Sequence, residues 1–247
     1  MRLSYFEIII STYTDMKNTI LTVTISLLSY CTLQAQESPK ITQIDPQISD
    51  LFNVLEAMDV YLYRFNLKEF LNNKYNISVY IDEYEPKNSP KRIFNHNMGN
   101  NIRSLSEVPE EYREEWRKYK QIPEGKDEWE EIKEMSIYLR KQNDSTAAFT
   151  IKVPDSRTVN KKVPLHQLET ENFNAYFYSP RPFDFVATKI EESIEIPLVL
   201  YASAWVDEKY KVIRFCGEKK IDPEMNAEIL KHVPHYYIIG LNIQKPD

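Results

Sequence analysis

Four glycines stand in a chain of 247 residues, against a usual share of about 7%. That scarcity closes off whole classes of function. A loop that wraps a phosphate needs glycine wherever backbone must touch the ligand, so neither a dinucleotide fingerprint nor a P-loop can be written here. The remaining composition is that of an ordinary folded protein, with 42% hydrophobic and 28% charged residues. The formal charge of −6 repels nucleic-acid phosphates unless basic residues gather on one face, and no such cluster is visible. Nucleic acid is therefore not an expected partner.

The N-terminal segment reads as an export signal. From Met16, Lys17 supplies the basic start, Ile20 to Leu28 a short apolar core, and Leu33-Gln34-Ala35 a cleavage site ending in a small residue. The apolar run is too short and too rich in threonine to span a bilayer, which needs about 20 apolar residues. Glu7 and Asp15 do not suit a signal's basic start, so Met16 is the expected initiator. Lipidation at Cys31 is the competing reading, and the bulky Tyr30 before it argues against that. Removing the first 35 of 247 residues leaves 212, enough to bury a core without staples. Cys216 is then the one remaining cysteine, so no intramolecular disulfide is expected.

Beyond the signal, the expectation is α+β: a largely antiparallel sheet with short helices and a charged helical hairpin. Residues 40–247 form one domain, or two subdomains (40–104 and 144–247) joined by the charged stretch 106–141. Asp45-Pro46 opens a helix whose Ile48, Leu51, Phe52 and Leu55 share one face. Ile77, Val79 and Ile81 alternate as a strand. Tyr112, Trp116 and Tyr119, then Trp129, Ile132 and Leu139, fall at helical spacing in the charged stretch. Met135 to Val153 also scans as a β-hairpin. Further on, Lys209–Cys216 and Tyr236–Ile243 are expected in one sheet, with an Asp222–His232 helix over it.

Cys216, His232 and His235 offer soft and imidazole donors that suit zinc. His232-Val-Pro-His235 straddles a proline at a helix end, however, and His232 is also explained by the helix dipole there. Asp82, Glu83 and Glu85 close a strand, where they serve either a carboxylate-based hydrolase or a solvated turn. Seventeen tyrosines suit half-buried sheet surfaces. Trp116, Trp129, Tyr176, Tyr178, Tyr236 and Tyr237 are the candidates for stacking on a sugar or peptide, although neighbours along a strand point to opposite faces.

The Asn-, Lys-, Tyr- and Glu-rich, Gly- and Cys-poor composition, with a signal ending Leu33-Gln34-Ala35-Gln36, resembles the short exported proteins of unknown function from Bacteroides and relatives. The resemblance implies a periplasmic, cell-surface or secreted location and carries over no functional residue. The expected function is an exported, non-catalytic binding or accessory module for a protein, peptide or glycan. It needs no cofactor and has no membrane span. A secreted hydrolase, metal-dependent or carboxylate-based, is the alternative.

Overall fold

Period-two alternation of branched apolar residues dominates the chain, and strands follow from it. In the computed structural model, residues 13, 16–20, 43–68, 71, 73–170, 174–185, 190–215 and 217–246 are described. Two units divide at Gln47 and Ile48. In the first, residues 16–20 are helical. The cleavage site expected at Ala35, and Cys31, lie outside the described residues, as does Cys216.

The second unit opens with α1 (Ile48–Ala57) and β1 (Val60–Asn66). Strands β2 (Asn76–Tyr84), β3 (Lys91–Asn100) and β4 (Ile102–Ser104) follow. Then come α2 (Arg113–Tyr119), β5 (Glu128–Glu130), β6 (Glu134–Asn143), β7 (Thr146–Lys152) and β8 (Thr158–Pro164). Short β9 (Leu168–Glu169) and β10 (Asn174–Ala175) precede β11 (Tyr178–Pro182) and the long β12 (Ser193–Ser203). A ribbon of β13 (Trp205–Asp207) and β14 (Val212–Arg214) leads on to β15 (Tyr236–Gln244).

Two antiparallel sheets carry the core. One runs β1-β6-β7-β8 and the other β11-β12-β15-β2-β3. Ile137 and Leu139 of β6 and Phe149 and Ile151 of β7 join Val79 and Ile81 of β2 and Ile239 and Leu241 of β15 in one buried cluster. Phe149 sets its ring edge-to-face against Tyr201 (5.3 Å) and Tyr237 (5.7 Å) of the opposite sheet. Each such side chain contributes about 1.5–3 kcal/mol by leaving water, so this interface is the main source of stability. Among the described residues no helix is long and apolar enough to cross a membrane.

The five-stranded sheet is covered on its other face too. Tyr80, Leu200 and Ile238 point there and meet Ile221, Ile229 and Val233 from the segment before β15. Gly240 makes one crossing possible. It pairs with Tyr80 on β2, and a Cβ at this position would overlap the Tyr80 ring and lie 2.5 Å from the Ile196 carbonyl. Only a residue without a side chain lets the tyrosine lie across the strand.

The fold is β-rich, which corrects the α+β expectation and its charged helical hairpin. Within 106–141 the α-helix is confined to the seven residues of α2, beside short 3-10 turns, and the second half is strand. Met135, Ile137 and Leu139 alternate, and pairing with β1 and β7 buries all three completely. The hairpin pattern over these residues prevails because two neighbouring strands satisfy its backbone and one sheet face is buried. The expected Asp222–His232 helix is reduced to a 3-10 turn, Glu228–Lys231. Met225 adopts a left-handed conformation (φ 60°) that no helix continues through. The segment still covers the sheet, whereas Val212–Arg214 pairs with its sequence neighbour β13 and not with β15.

Candidate functional site

Tyr112, Trp116 and Tyr119 follow one another at four and three residues, so a single helical turn geometry brings all three to one side. Tyr112 ends a 3-10 turn and runs in helical conformation into α2. The three rings are 54%, 37% and 62% exposed. Trp116 lies 5.7 Å from Tyr119 and 6.4 Å from Trp129, the second ring edge-on.

A seven-residue helix does not hold itself in place in water, and here its anchors are specific. Leu105, Ile122 and Trp129 form a small buried cluster beneath it. The Arg117 guanidinium donates to the carbonyls of Pro123 and Lys126 and pairs with Asp127 at 2.9 Å. Glu131 accepts from Lys120 Nζ (2.9 Å) and from the Trp129 indole N–H (2.6 Å). Burial alone would raise the Glu131 carboxyl, but hydrogen bonds from Lys120, Trp129 and Ser156 outweigh it and hold the group below the usual carboxylate range. Lys120 also sits over the Trp116 and Tyr119 rings.

The rings border a concavity of about 520 Å³ that also takes in Arg103, Glu107, Pro109 and Glu115. Tyr119 lines a second concavity of about 560 Å³ as well, whose walls include Lys120, Glu130, Glu131 and Asp155. An aromatic stretch thus passes over Tyr119 into a polar one. Flat apolar faces with hydroxyl-bearing edges match such a surface.

The other candidate rings go elsewhere. Trp129 is buried as a prop for Trp116. Tyr176 packs against the main core, with its hydroxyl 3.4 Å from Gln167. Tyr236 stacks on Tyr84 at 4.7 Å, while Tyr178 and Tyr237 are buried. His232 stacks on Trp205 at 5.8 Å and faces Glu228 at 3.7 Å. His235 has a different set of neighbours, so the two histidines are not brought together.

Those neighbours form a polar cluster inside the sheet end. Tyr178 Oη lies 2.6 Å from His235 Nδ1 and accepts the His166 backbone N–H at 2.9 Å. Tyr237 pairs with Glu83 across the strands, and its hydroxyl lies 3.0 Å from Glu83 Oε1 and 2.7 Å from the Pro164 carbonyl. His235 Nε2 faces Glu83 Oε1 at 3.4 Å, and the His166 ring stacks on His235 at 3.7 Å. Burial, then the neighbouring His166, holds the His235 ring well below the ordinary imidazole range, against the pull of Glu83 and Glu85. Burial, then Glu83, pushes the Tyr237 hydroxyl up. Glu83 and His235 were separate candidates in sequence, and His166 was none: it lies between β8 and β9 with no periodic pattern to mark it.

Comparison with known proteins gives one match. A family model described as a domain of unknown function (DUF5041) covers residues 30–245. No curated protein and no solved structure is similar to the chain.

Proposed function

The chain belongs to the DUF5041 family, and we propose from its site that it is an exported binding module that takes an extended glycan along the Tyr112–Trp116–Tyr119 face. One observation carries the reading: three exposed rings on one helical side, continuous through Tyr119 with a polar concavity. Exposed aromatics are costly to leave in water and are the residues that dominate binding surfaces. Along the rim Arg103 and Glu107 are paired with each other, and the Glu115 carboxylate, with the remaining guanidinium N–H groups, suits the hydroxyls of a sugar polymer. The export reading rests on the Lys17, Ile20–Leu28 and Ala35 pattern.

Affinity electrophoresis against a panel of soluble polysaccharides tests the reading. Retardation by at least one glycan is expected, weakened about tenfold in Trp116→Ala, as truncating an aromatic anchor costs about 1–2 kcal/mol. Trp116→Ala gives up its edge-on contact with Trp129, so it should melt below the parent protein but remain folded, by circular dichroism, at the assay temperature. A panel-wide absence of retardation overturns the glycan class, and binding that survives Trp116→Ala places the ligand elsewhere. The intact mass of the exported protein decides the export claim: it should begin at Gln36, and a lipid-modified species beginning at Cys31 would contradict it.

A further inference from the structure

We propose that Glu83, His166 and His235 together form a binding site for a divalent metal ion of the zinc class. The three come from the end of β2, the link after β8 and the residue before β15. Their donor atoms nevertheless all lie within 4.8 Å of one another. Two imidazoles and a carboxylate are the donor set that zinc and its neighbours prefer over calcium or magnesium.

The supporting shell is already in place. A metal-binding histidine is oriented by a partner on its other ring nitrogen, and ligating carboxylates are themselves hydrogen-bonded. Tyr178 Oη sits 2.6 Å from His235 Nδ1, which leaves Nε2 facing the cluster, and the Tyr237 hydroxyl sits 3.0 Å from Glu83. Nε2 in turn lies 3.4 Å from Glu83 Oε1, a long, weak hydrogen bond whose length is also close to the separation of two donors on one tetrahedral ion. His235 is 1% exposed, so the imidazole is held by its surroundings where an ion would meet it.

Donors about 2.0–2.2 Å from a tetrahedral zinc stand about 3.4 Å from one another, the separation that His235 and Glu83 already have, so it is His166 that must draw in. The stacked His166 ring must also turn, because ring lone pairs lie in the ring plane and its stack with His235 aims them side by side. His166 has the freedom to do so. Its side chain is 42% exposed and lies outside any strand. Three protein donors leave a fourth position for water on the His166 side.

The competing account makes the two rings and the carboxylate a packing device. Titration of chelator-stripped, untagged full-length protein with zinc chloride separates the two, read by calorimetry and by the visible absorption of the cobalt-substituted form. One equivalent of zinc is expected, with affinity lowered at least tenfold in His166→Ala and in Glu83→Gln. Tyr178→Phe should weaken it about tenfold through orientation of His235. Zinc should raise the melting temperature of the parent protein and not of His166→Ala. No saturable uptake, or uptake unchanged in His166→Ala, overturns the site. Should Glu83→Gln fail to fold once its bond to Tyr237 is altered, the exposed His166 variant still decides.

Discussion

Phe149→Ala tests the packing of the two sheets at its most sensitive point. The side chain is fully buried and reaches two aromatic rings of the opposite sheet. Its transfer out of water is worth about 1.5–3 kcal/mol, and each edge-to-face pair adds about 0.5–1.5 kcal/mol. The void left behind adds a further term unless neighbours collapse into it, about 24 cal/mol for each Å³ that stays empty. Collapse is hindered here. The Tyr237 hydroxyl lies between two acceptors, Glu83 and the Pro164 carbonyl, and donates its one proton to them, so its ring cannot swing inward without losing that hydrogen bond. The loss should therefore fall in the upper part of the range for phenylalanine truncation, about 4 kcal/mol. Urea unfolding followed by circular dichroism measures it, as a lowered midpoint at unchanged slope. Phe149→Leu, which keeps most of the volume, should lose only about 1–1.5 kcal/mol and remains measurable if the alanine variant is unfolded. A double-mutant cycle with Tyr201→Leu should return a coupling of about 0.5–1.5 kcal/mol. A loss below about 1.5 kcal/mol for Phe149→Ala would refute the reasoning, since a side chain at a well-packed sheet interface cannot be removed so cheaply.

Two further outcomes follow from the same structure. Gly240→Ala should destabilise by about 1–3 kcal/mol, because the new methyl group meets the Tyr80 ring and the Ile196 carbonyl; a thermal melt that matches the parent protein contradicts the close crossing. Glu131, whose carboxyl is held below its ordinary range by Lys120, Trp129 and Ser156, contributes stability that is present above the unfolded-state carboxylate pKa and is lost as pH falls through the folded value. Glu131→Gln should therefore cost about 1 kcal/mol at neutral pH and flatten the acid limb of the stability profile below about pH 4.5; identical acid limbs would show that the network is not formed.

Much of the core was legible because strands write their burial locally. Ile77, Val79 and Ile81, or Phe149, Ile151 and Val153, alternate in sequence and are buried in space. The charged stretch was not legible in the same way. Trp129, Ile132 and Leu139 stand at spacings of three and seven, which a helix fits, while Met135, Ile137 and Leu139 fit a strand equally well. Pairing with β1 and β7 settled the conflict, and β1 lies some seventy residues away in the chain. The apolar face of α1 teaches the converse: the helix forms where the periodicity places it, beginning at Ile48 and not at the expected Asp45-Pro46 start, yet Ile48, Leu51 and Phe52 are exposed. Amphipathicity marks a face that needs a partner and does not supply one.

By itself, then, the sequence determined the period of each strongly alternating strand, the absence of glycine-built phosphate loops, and the helical spacing of Tyr112, Trp116 and Tyr119. These are properties of neighbours along the chain, fixed by backbone geometry and side-chain chemistry. Only the tertiary structure decided which rings face outward, that Trp129 props Trp116 from beneath, and that His166 and Glu83 meet His235 and not His232. Those meetings depend on strand order and register, where a shift of one residue turns every side chain to the other face. No local pattern encodes that choice. It is made by the summed burial of two sheets against each other.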